Sequence, residues 1–328
     1  MFKFGILGCG MIAGVHADAI GSIENAELSA VSDNNPECAR SFAERRGAVA
    51  YESYDEMLKS DIDVVCVCTP SCFHAKNAIE AMRAGKHVVL EKPMALSTAD
   101  ADEVIRVSQE TGRLLTVICQ LRFADDVRRL KRLVEENAFG KLSLCNLSMK
   151  YYRSDEYYSS SPWKGTLKFD GGGALMNQGI HGVDLLEYIV GGVKDVQGII
   201  RTLSHKIEAE DTAVATVEFE CGALGVIQGS SCAYPGFERR LEIHGDRGYA
   251  VLVENNLKEL MINREQIPVS DFEVVRTASD PTAVQSDMHK LQIKNLLLAI
   301  DGKEPLLIDA KEGRRAVKII EDIYKTSR

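Results

Sequence analysis

From residue 2 to about 120, short apolar, β-branched runs alternate with stretches whose apolar positions recur every three or four residues. The runs Phe4 to Leu7, Leu28 to Ser32, Val64 to Cys68, His87 to Leu90 and Leu114 to Ile118 read as strands. The periodic stretches between them read as helices, and the one from Phe73 to Ala84 stops at Gly85, where a helix C-cap favours glycine. Strand and helix alternating at this spacing predict βαβ units around a parallel sheet.

After about residue 122 the pattern changes. A helix is expected near 125–136, a strand over 142–152, a polar irregular stretch, and a helix over about 172–190. Strands then follow one another with little helix between them, among them Val196 to Leu203, Ala213 to Glu220, Leu224 to Ser231 and Arg240 to His244. Successive strands without crossover helices predict a mostly antiparallel sheet. Helical periodicity returns at about 287–301 and 310–326.

The expected fold class is therefore α/β: a doubly wound parallel sheet over 1–122, then an α+β domain with a broad, mostly antiparallel sheet over 123–328. The C-terminal helices are free to pack back on the first domain. The length suits two cores better than one.

The net charge of -9 opposes binding to a nucleic acid backbone, which needs clustered Lys and Arg. The basic run Arg128-Arg129-Leu130-Lys131-Arg132 falls on an amphipathic pattern and reads as a solvated helix face. No signal peptide pattern opens the chain and no apolar run reaches membrane-helix length, so the expected location is cytoplasmic, with no membrane partner. The nine cysteines are scattered through apparent strands and helices, which fits reduced thiols packed as small apolar groups. Cys66, Cys68 and Cys72 lack zinc-site spacing, and no metal is expected.

Chemistry enters at Gly8-Cys9-Gly10-Met11-Ile12-Ala13, a G-x-G-x-x-A that closes the first strand and opens a helix. Gly8 permits the tight turn, Gly10 lets backbone approach a pyrophosphate, and Ala13 lets the helix lie close to the sheet. The phosphates would then meet the helix N-terminus, where free amides and the dipole favour an anion. Asp33 closes the second strand, placed to hold a ribose 2′-hydroxyl and to repel a 2′-phosphate; Asn34 and Asn35 follow it rather than Arg. NAD is expected in preference to NADP.

Two further segments, Thr69-Pro70-Ser71-Cys72-Phe73-His74 and Glu91-Lys92-Pro93, follow apparent parallel strands, at the sheet edge where open α/β folds bind ligands. Thr69, Pro70, His74 and Glu91 are placed there beside the cofactor. A lysine at that position, desolvated next to a cationic nicotinamide, would have a lowered pKa, which marks Lys92 for chemistry. No role in catalysis is assigned to His16, His74, His87, His205, His244 or His289.

Together these segments, with Ala84-Gly85-Lys86-His87-Val88-Val89-Leu90-Glu91-Lys92-Pro93 and the run from Asp170-Gly171-Gly172-Gly173 through Asn177 to His181 and Asp184, resemble the Gfo/Idh/MocA family of oxidoreductases over nearly the whole chain. The resemblance implies a Rossmann domain followed by an α/β domain whose broad sheet often makes oligomer contacts, with the active site between them. It implies that Lys92 touches substrate and nicotinamide, that His181 is the catalytic histidine, and that Gln120 and Arg122 face the ring and the substrate. Many relatives carry Asp four residues before the histidine; here it is Asn177. A four-residue helical spacing puts Asn177 and His181 on one face, and Asp184, one turn later, is a candidate partner for the imidazole. Asn cannot ionise, so it can bond a hydroxyl but not support an imidazolium as a carboxylate would.

The resemblance implies an NAD-dependent dehydrogenase acting on a secondary hydroxyl of a sugar, cyclitol or glycoside, as a homodimer or homotetramer. Asn177 and the upstream Trp163-Lys164-Gly165 also resemble branches that oxidise the 3-hydroxyl of a nucleotide-linked N-acetylated hexuronate, and Trp163 would then face the sugar. The other readings are a glycosidase using NAD for transient oxidation and a non-catalytic dinucleotide sensor.

Overall fold

The computed structural model describes residues 1–269 and 286–327. Two compact units divide it: the first holds Met1–Gln120 with the described part of 284–314, the second 121–269 with 315–327. In chain order the elements run β1 (Phe2–Leu7), α1 (Met11–Gly21), β2 (Ala26–Ser32), α2 (Pro36–Arg46), β3 (Val49–Tyr51), α3 (Tyr54–Lys59), β4 (Val64–Val67), α4 (His74–Arg83), β5 (His87–Leu90), α5 (Thr98–Thr111) and β6 (Leu115–Val117). Then come α6 (Asp125–Glu135), β7 (Leu142–Lys150), α7 (Asp155–Ser159), α8 (Ile180–Val190), β8 (Val193–Arg201), β9 (Thr212–Phe219), β10 (Leu224–Ser230), β11 (Arg240–Gly245), β12 (Gly248–Val253), β13 (Asn256–Ile262) and β14 (Glu265–Gln266). The last two are α9 (Asp287–Ile300) and α10 (Ala310–Thr326).

In the first unit the sheet order is β3-β2-β1-β4-β5-β6 and every pair is parallel. Order reverses between β1 and β4, so the loops after these two strands diverge and leave a crevice at their carboxyl ends. The central strands are apolar on both faces because helices cover both: Val64, Val65, Cys66 and Val67 are all fully buried. β3 has no counterpart among the sequence-predicted strands, since three residues, one exposed and two half-buried, make no apolar run. Helix starts follow ordinary capping chemistry: the Asn35 side chain accepts from Glu37 N and Cys38 N ahead of α2, and Ser97 accepts from Asp100 N ahead of α5.

α9 belongs to this first unit, although it lies far along the chain. Gln292 joins it to the sheet edge: Nε2 donates to Thr116 Oγ1 (2.8 Å) and Val117 O (2.7 Å), and Oε1 accepts from Cys119 N (3.2 Å).

The second unit carries one sheet of order β14-β13-β12-β11-β7-β10-β9-β8. Neighbours are antiparallel except β7 and β10, which run parallel and are separated in sequence by α7, α8, β8 and β9. Alternation assigns the faces: along β9, Ala213, Ala215, Val217 and Phe219 point into the core, while Val214 points out. α8 lies tightly on the inner face, and a Cβ on Gly182 would collide with Met149 Sδ and crowd Arg239 and Leu147. The outer face is open and carries Leu144, Ile199, Val214 and Leu224. At one end of the sheet β8 is an edge strand, and its outward amides at Gly198 and Ile200 donate to the hydroxyls of Thr326 (3.1 Å) and Ser327 (3.0 Å).

Nine cysteines are free thiols. Among the described residues no helix is long and apolar enough to cross a membrane.

Because Gln292 meets three backbone or side-chain groups that are otherwise buried, Gln292→Ala should lower the unfolding free energy by about 1–3 kcal/mol, the usual cost of orphaned buried polar groups. A shift of the urea midpoint at unchanged slope is the expected reading, and an unchanged midpoint would show that water replaces the amide.

Candidate active site

In the first unit the glycine loop leaves β1 and enters α1. Gly8 has φ +89° and a Cβ there would lie 2.7 Å from Cys68 O, so both conformation and space call for glycine. Gly10 is the N-cap of α1, with no side-chain cap, no acidic residue in the first turn and nothing within 4 Å of where its Cβ would be. No side chain caps this helix start, and Met11 is exposed, Ile12 half-buried and Ala13 fully buried against the sheet. Asp33 is fixed beside the loop: one carboxylate oxygen accepts from Cys9 N (2.7 Å), the other from Asn35 N (2.8 Å). A helix start without a protein cap, next to a fixed carboxylate, fits a dinucleotide: anion at the amides, ribose hydroxyls at the acid.

The loops after β4 and β5 are tied together by His74. It is 2% exposed, and its ring nitrogens face Pro93 O (2.6 Å) and Thr69 O (2.7 Å). Burial lowers its pKa, which favours the neutral ring. Expected at the cofactor, His74 instead has both nitrogens engaged by loop carbonyls, so it shapes the loops that carry Thr69, Pro70 and Lys92. Thr69 Oγ1 accepts from Asn77 Nδ2 (3.1 Å).

Glu91, also expected at the cofactor, is 5% exposed and turns inward. One oxygen meets His16 Nε2 of α1 at 2.8 Å and the other accepts from Lys92 N at 3.1 Å. Burial pushes the carboxyl up, but the bond and charge of His16 outweigh it and hold it at about 2. His16 moves the other way: despite burial, Cys68, Cys66 and Glu91 hold it well above its ordinary value. The pair is thus ionic, and it connects α1 to the backbone of Lys92, whose side chain is half-buried. Gln120 is buried, and its Oε1 has no partner among the described residues, an acceptor left for a group that donates.

In the second unit the expected helix over 172–190 has two parts. Ala174–Gly179 is a π turn, and only from Ile180 does α8 run as an α-helix. Gln178 N reaches Gly173 O five residues back (3.1 Å). Each residue of a π turn advances less around the axis than in an α-helix, so four steps from Asn177 to His181 come closer to one full rotation. Both side chains are half-buried. Asn177 Nδ2 donates to Asp170, a buried carboxylate whose other oxygen accepts from Gly165 N (2.9 Å), and Asn177 Oδ1 accepts from Gln178 Nε2 (3.0 Å). Gln178 also bonds Tyr157 Oη (2.9 Å) and accepts from Arg153 Nε (2.9 Å). Sequence reading assigned no role to Asp170, although it opens the D-G-G-G run.

Arg122 was expected at the substrate and Asp184 at His181. The structure joins them to each other: Arg122 Nε and Nη2 reach the two Asp184 oxygens at 2.9 and 2.6 Å, both side chains are 3% exposed, and the guanidinium lies 4.5 Å from the Tyr188 ring centre. A buried guanidinium requires such a partner. Trp163, expected at the sugar, is half-buried in the turns before the π turn, where its carbonyl accepts from Thr166 Oγ1 (2.7 Å).

The pattern of the oxidoreductase family with an NAD-binding Rossmann fold, Gfo/Idh/MocA, matches residues 2–119, and that of the Gfo/Idh/MocA C-terminal domain matches 127–251. The chain belongs to the Gfo/Idh/MocA family. It is an NAD-dependent oxidoreductase, as the resemblance in the sequence implied. The crystal structure of the WlbA dehydrogenase from Bordetella pertussis in complex with NADH and UDP-GlcNAcA is similar over 100% of this chain and 95% of that one, with 33% identity and a TM-score of 0.91. Myo-inositol 2-dehydrogenase of Thermotoga maritima is 29% identical over 79% of this chain and 77% of its own length. The uncharacterized oxidoreductase YrbE of Bacillus subtilis is 31% identical over 75% of this chain and 72% of its own.

The depressed Glu91 carboxyl has a signed consequence. A carboxyl lowered by folding adds stability that is present above its unfolded pKa, about 4, and lost as pH falls from there toward about 2. Glu91→Gln should therefore be less stable than the parent at pH 7 and lose less stability between pH 5 and 3. Parallel acid limbs in urea titrations of the two proteins would contradict the ionic pair.

Proposed function

We propose that this chain oxidises the 3-hydroxyl of a nucleotide-linked N-acetylated hexuronate, with Lys92 and His181 handling the proton. The observation that carries the substrate class is the likeness to the WlbA dehydrogenase holding NADH and UDP-GlcNAcA, which extends over the whole chain. It agrees with two local features, Asn177 in place of the more usual aspartate and the Trp163-Lys164-Gly165 run. The inositol dehydrogenase likeness covers less of the chain and keeps a cyclitol as the alternative.

Bound NAD supplies the hydride acceptor at its nicotinamide ring. The remainder is done by side chains. His181 acts as general base and takes the hydroxyl proton as the carbon loses hydride, and Lys92 polarises the oxygen that becomes the carbonyl. Asn177 cannot supply negative charge to the imidazolium; held by Asp170 and Gln178, it offers a fixed amide. Asp33 selects for NAD because a 2′-phosphate would meet its carboxylate.

UDP-GlcNAcA, free N-acetylglucosamine, myo-inositol and a glycoside, each with NAD, should separate the readings by NADH absorbance. Steady NADH formation with UDP-GlcNAcA alone is expected; formation with myo-inositol alone would assign the chain to the cyclitol class, and bond cleavage without net NADH to a glycosidase cycle. With the substrate so found, Lys92→Met and His181→Ala should each lower kcat by roughly 10²–10⁴-fold, the usual worth of a positioned acid–base group, while NAD binding survives. Near-full turnover by His181→Ala would remove the assignment.

The open outer face of the second unit's sheet, with Leu144, Ile199, Val214 and Leu224 on it, supports assembly into a homodimer or homotetramer through that face. Sedimentation at micromolar concentration should give a mass of two or four chains, and Val214→Lys with Leu224→Lys should shift it toward one. A monomeric parent would contradict this assembly.

A further inference from the structure

The π turn that carries Asn177 begins with three consecutive amides, and one residue meets all of them. Glu210 lies on the chain just before β9, and the residue is 4% exposed. Oε2 accepts from Gly173 N at 2.9 Å, Oε1 accepts from Leu175 N at 2.8 Å, and its own backbone carbonyl accepts from Ala174 N at 2.9 Å. A fourth donor comes from α10, where Tyr324 Oη reaches Oε1 at 2.8 Å. The glycines make room for this cap: a Cβ on Gly173 would strike Glu210 O, and one on Gly172 would strike Tyr324 Oη.

We infer that Glu210 is a positioning residue for the proposed chemistry: by capping the start of the π turn it sets the register in which Asn177 and His181 are presented. The inference rests on the role proposed for His181. A helix start normally leaves its first amides to water or to a single N-cap side chain. Here a whole carboxylate and a carbonyl close it, and the negative group sits where the helix dipole favours one. The donors also dictate the group: the three aimed at the side chain call for an acceptor at both oxygens, which glutamate provides and glutamine does not. Burial pushes the Glu210 carboxyl up and the bonds from Leu175, Tyr324 and Gly173 pull it back, while burial and Glu210 push the Tyr324 hydroxyl well up, keeping it protonated as a donor. With the carboxylate lost, the Gly173 and Leu175 amides lose the acceptors that fix them among the described residues, and relaxation toward ordinary α spacing would rotate Asn177 relative to His181.

Glu210→Gln tests this in the full-length protein. Amide exchange over residues 174–179 should speed up while exchange in β1 and β4 stays as in the parent. With UDP-GlcNAcA and NAD, kcat should fall by about 10²-fold, the scale expected of a displacement near 1 Å at the reacting group, while NAD affinity is unchanged. In a His181→Ala background the same substitution should change kcat by less than about threefold, because residues acting through one group are not additive. Tyr324→Phe, which removes one donor and keeps the carboxylate, should show both effects in smaller measure, and it carries the same comparisons if Glu210→Gln does not fold. Unchanged exchange at 174–179 overturns the inference, as does an equal loss of kcat with and without His181. Full turnover by His181→Ala overturns the proposed function, and the inference with it; a dead His181→Ala beside a fully active Glu210→Gln overturns the inference alone.

Discussion

The amides at the start of a helix cannot bond within it, and the two units answer that constraint in opposite ways. At α1 the protein leaves them open: Gly10 brings no side chain, no acidic residue stands in the first turn, and Ala13 seats the helix against β1 and β4. At the π turn Glu210 closes three of them, the amides of Gly173, Ala174 and Leu175. A start without a cap leaves its amides available to an anion, and one closed by a carboxylate does not. The glycines in both places are steric consequences of these choices, since Gly8 lies against Cys68 O and Gly173 against Glu210 O.

Two buried ion pairs tie helices of the two units to neighbouring segments. His16–Glu91 joins α1 to the loop that presents Lys92, and Arg122–Asp184 joins the segment after β6 to the middle of α8. Removing one member of such a pair leaves an uncompensated charge, which costs far more than the pair contributes when intact. Each pair therefore acts mainly as a geometric specification. Each also accounts for residues that a motif reading assigns to ligand contact: Glu91 and Arg122 stand beside functional positions in sequence, and their charges point into protein.

What the sequence made legible was local. β4 is a continuous apolar run, the glycine loop lies between a strand and a helix, and the loop lysine and helix histidine stand in a pattern shared with a family. What it concealed was non-local or lay outside the usual periods. β3 is too short and too exposed to make a run. The parallel pairing of β7 with β10 follows from the path of the chain rather than from either strand's residues. Arg122 finds Asp184 across 62 positions and Glu210 finds Gly173 across 37, distances at which no helical or strand period connects them. The π turn breaks the 3.6-residue period by which helices are recognised, so the sequence showed its presence but not its pitch.

At the far edge of the second sheet, Thr326 and Ser327 cover the outward amides of β8 with two hydroxyls. A side chain in that position does the work of a neighbouring strand without being one, and so withholds from any extended peptide the ladder it would need to add itself to the sheet. Loss of those two residues would turn a closed border into a template, and the first sign would be slow self-association through β8, with the chemistry of the active site untouched.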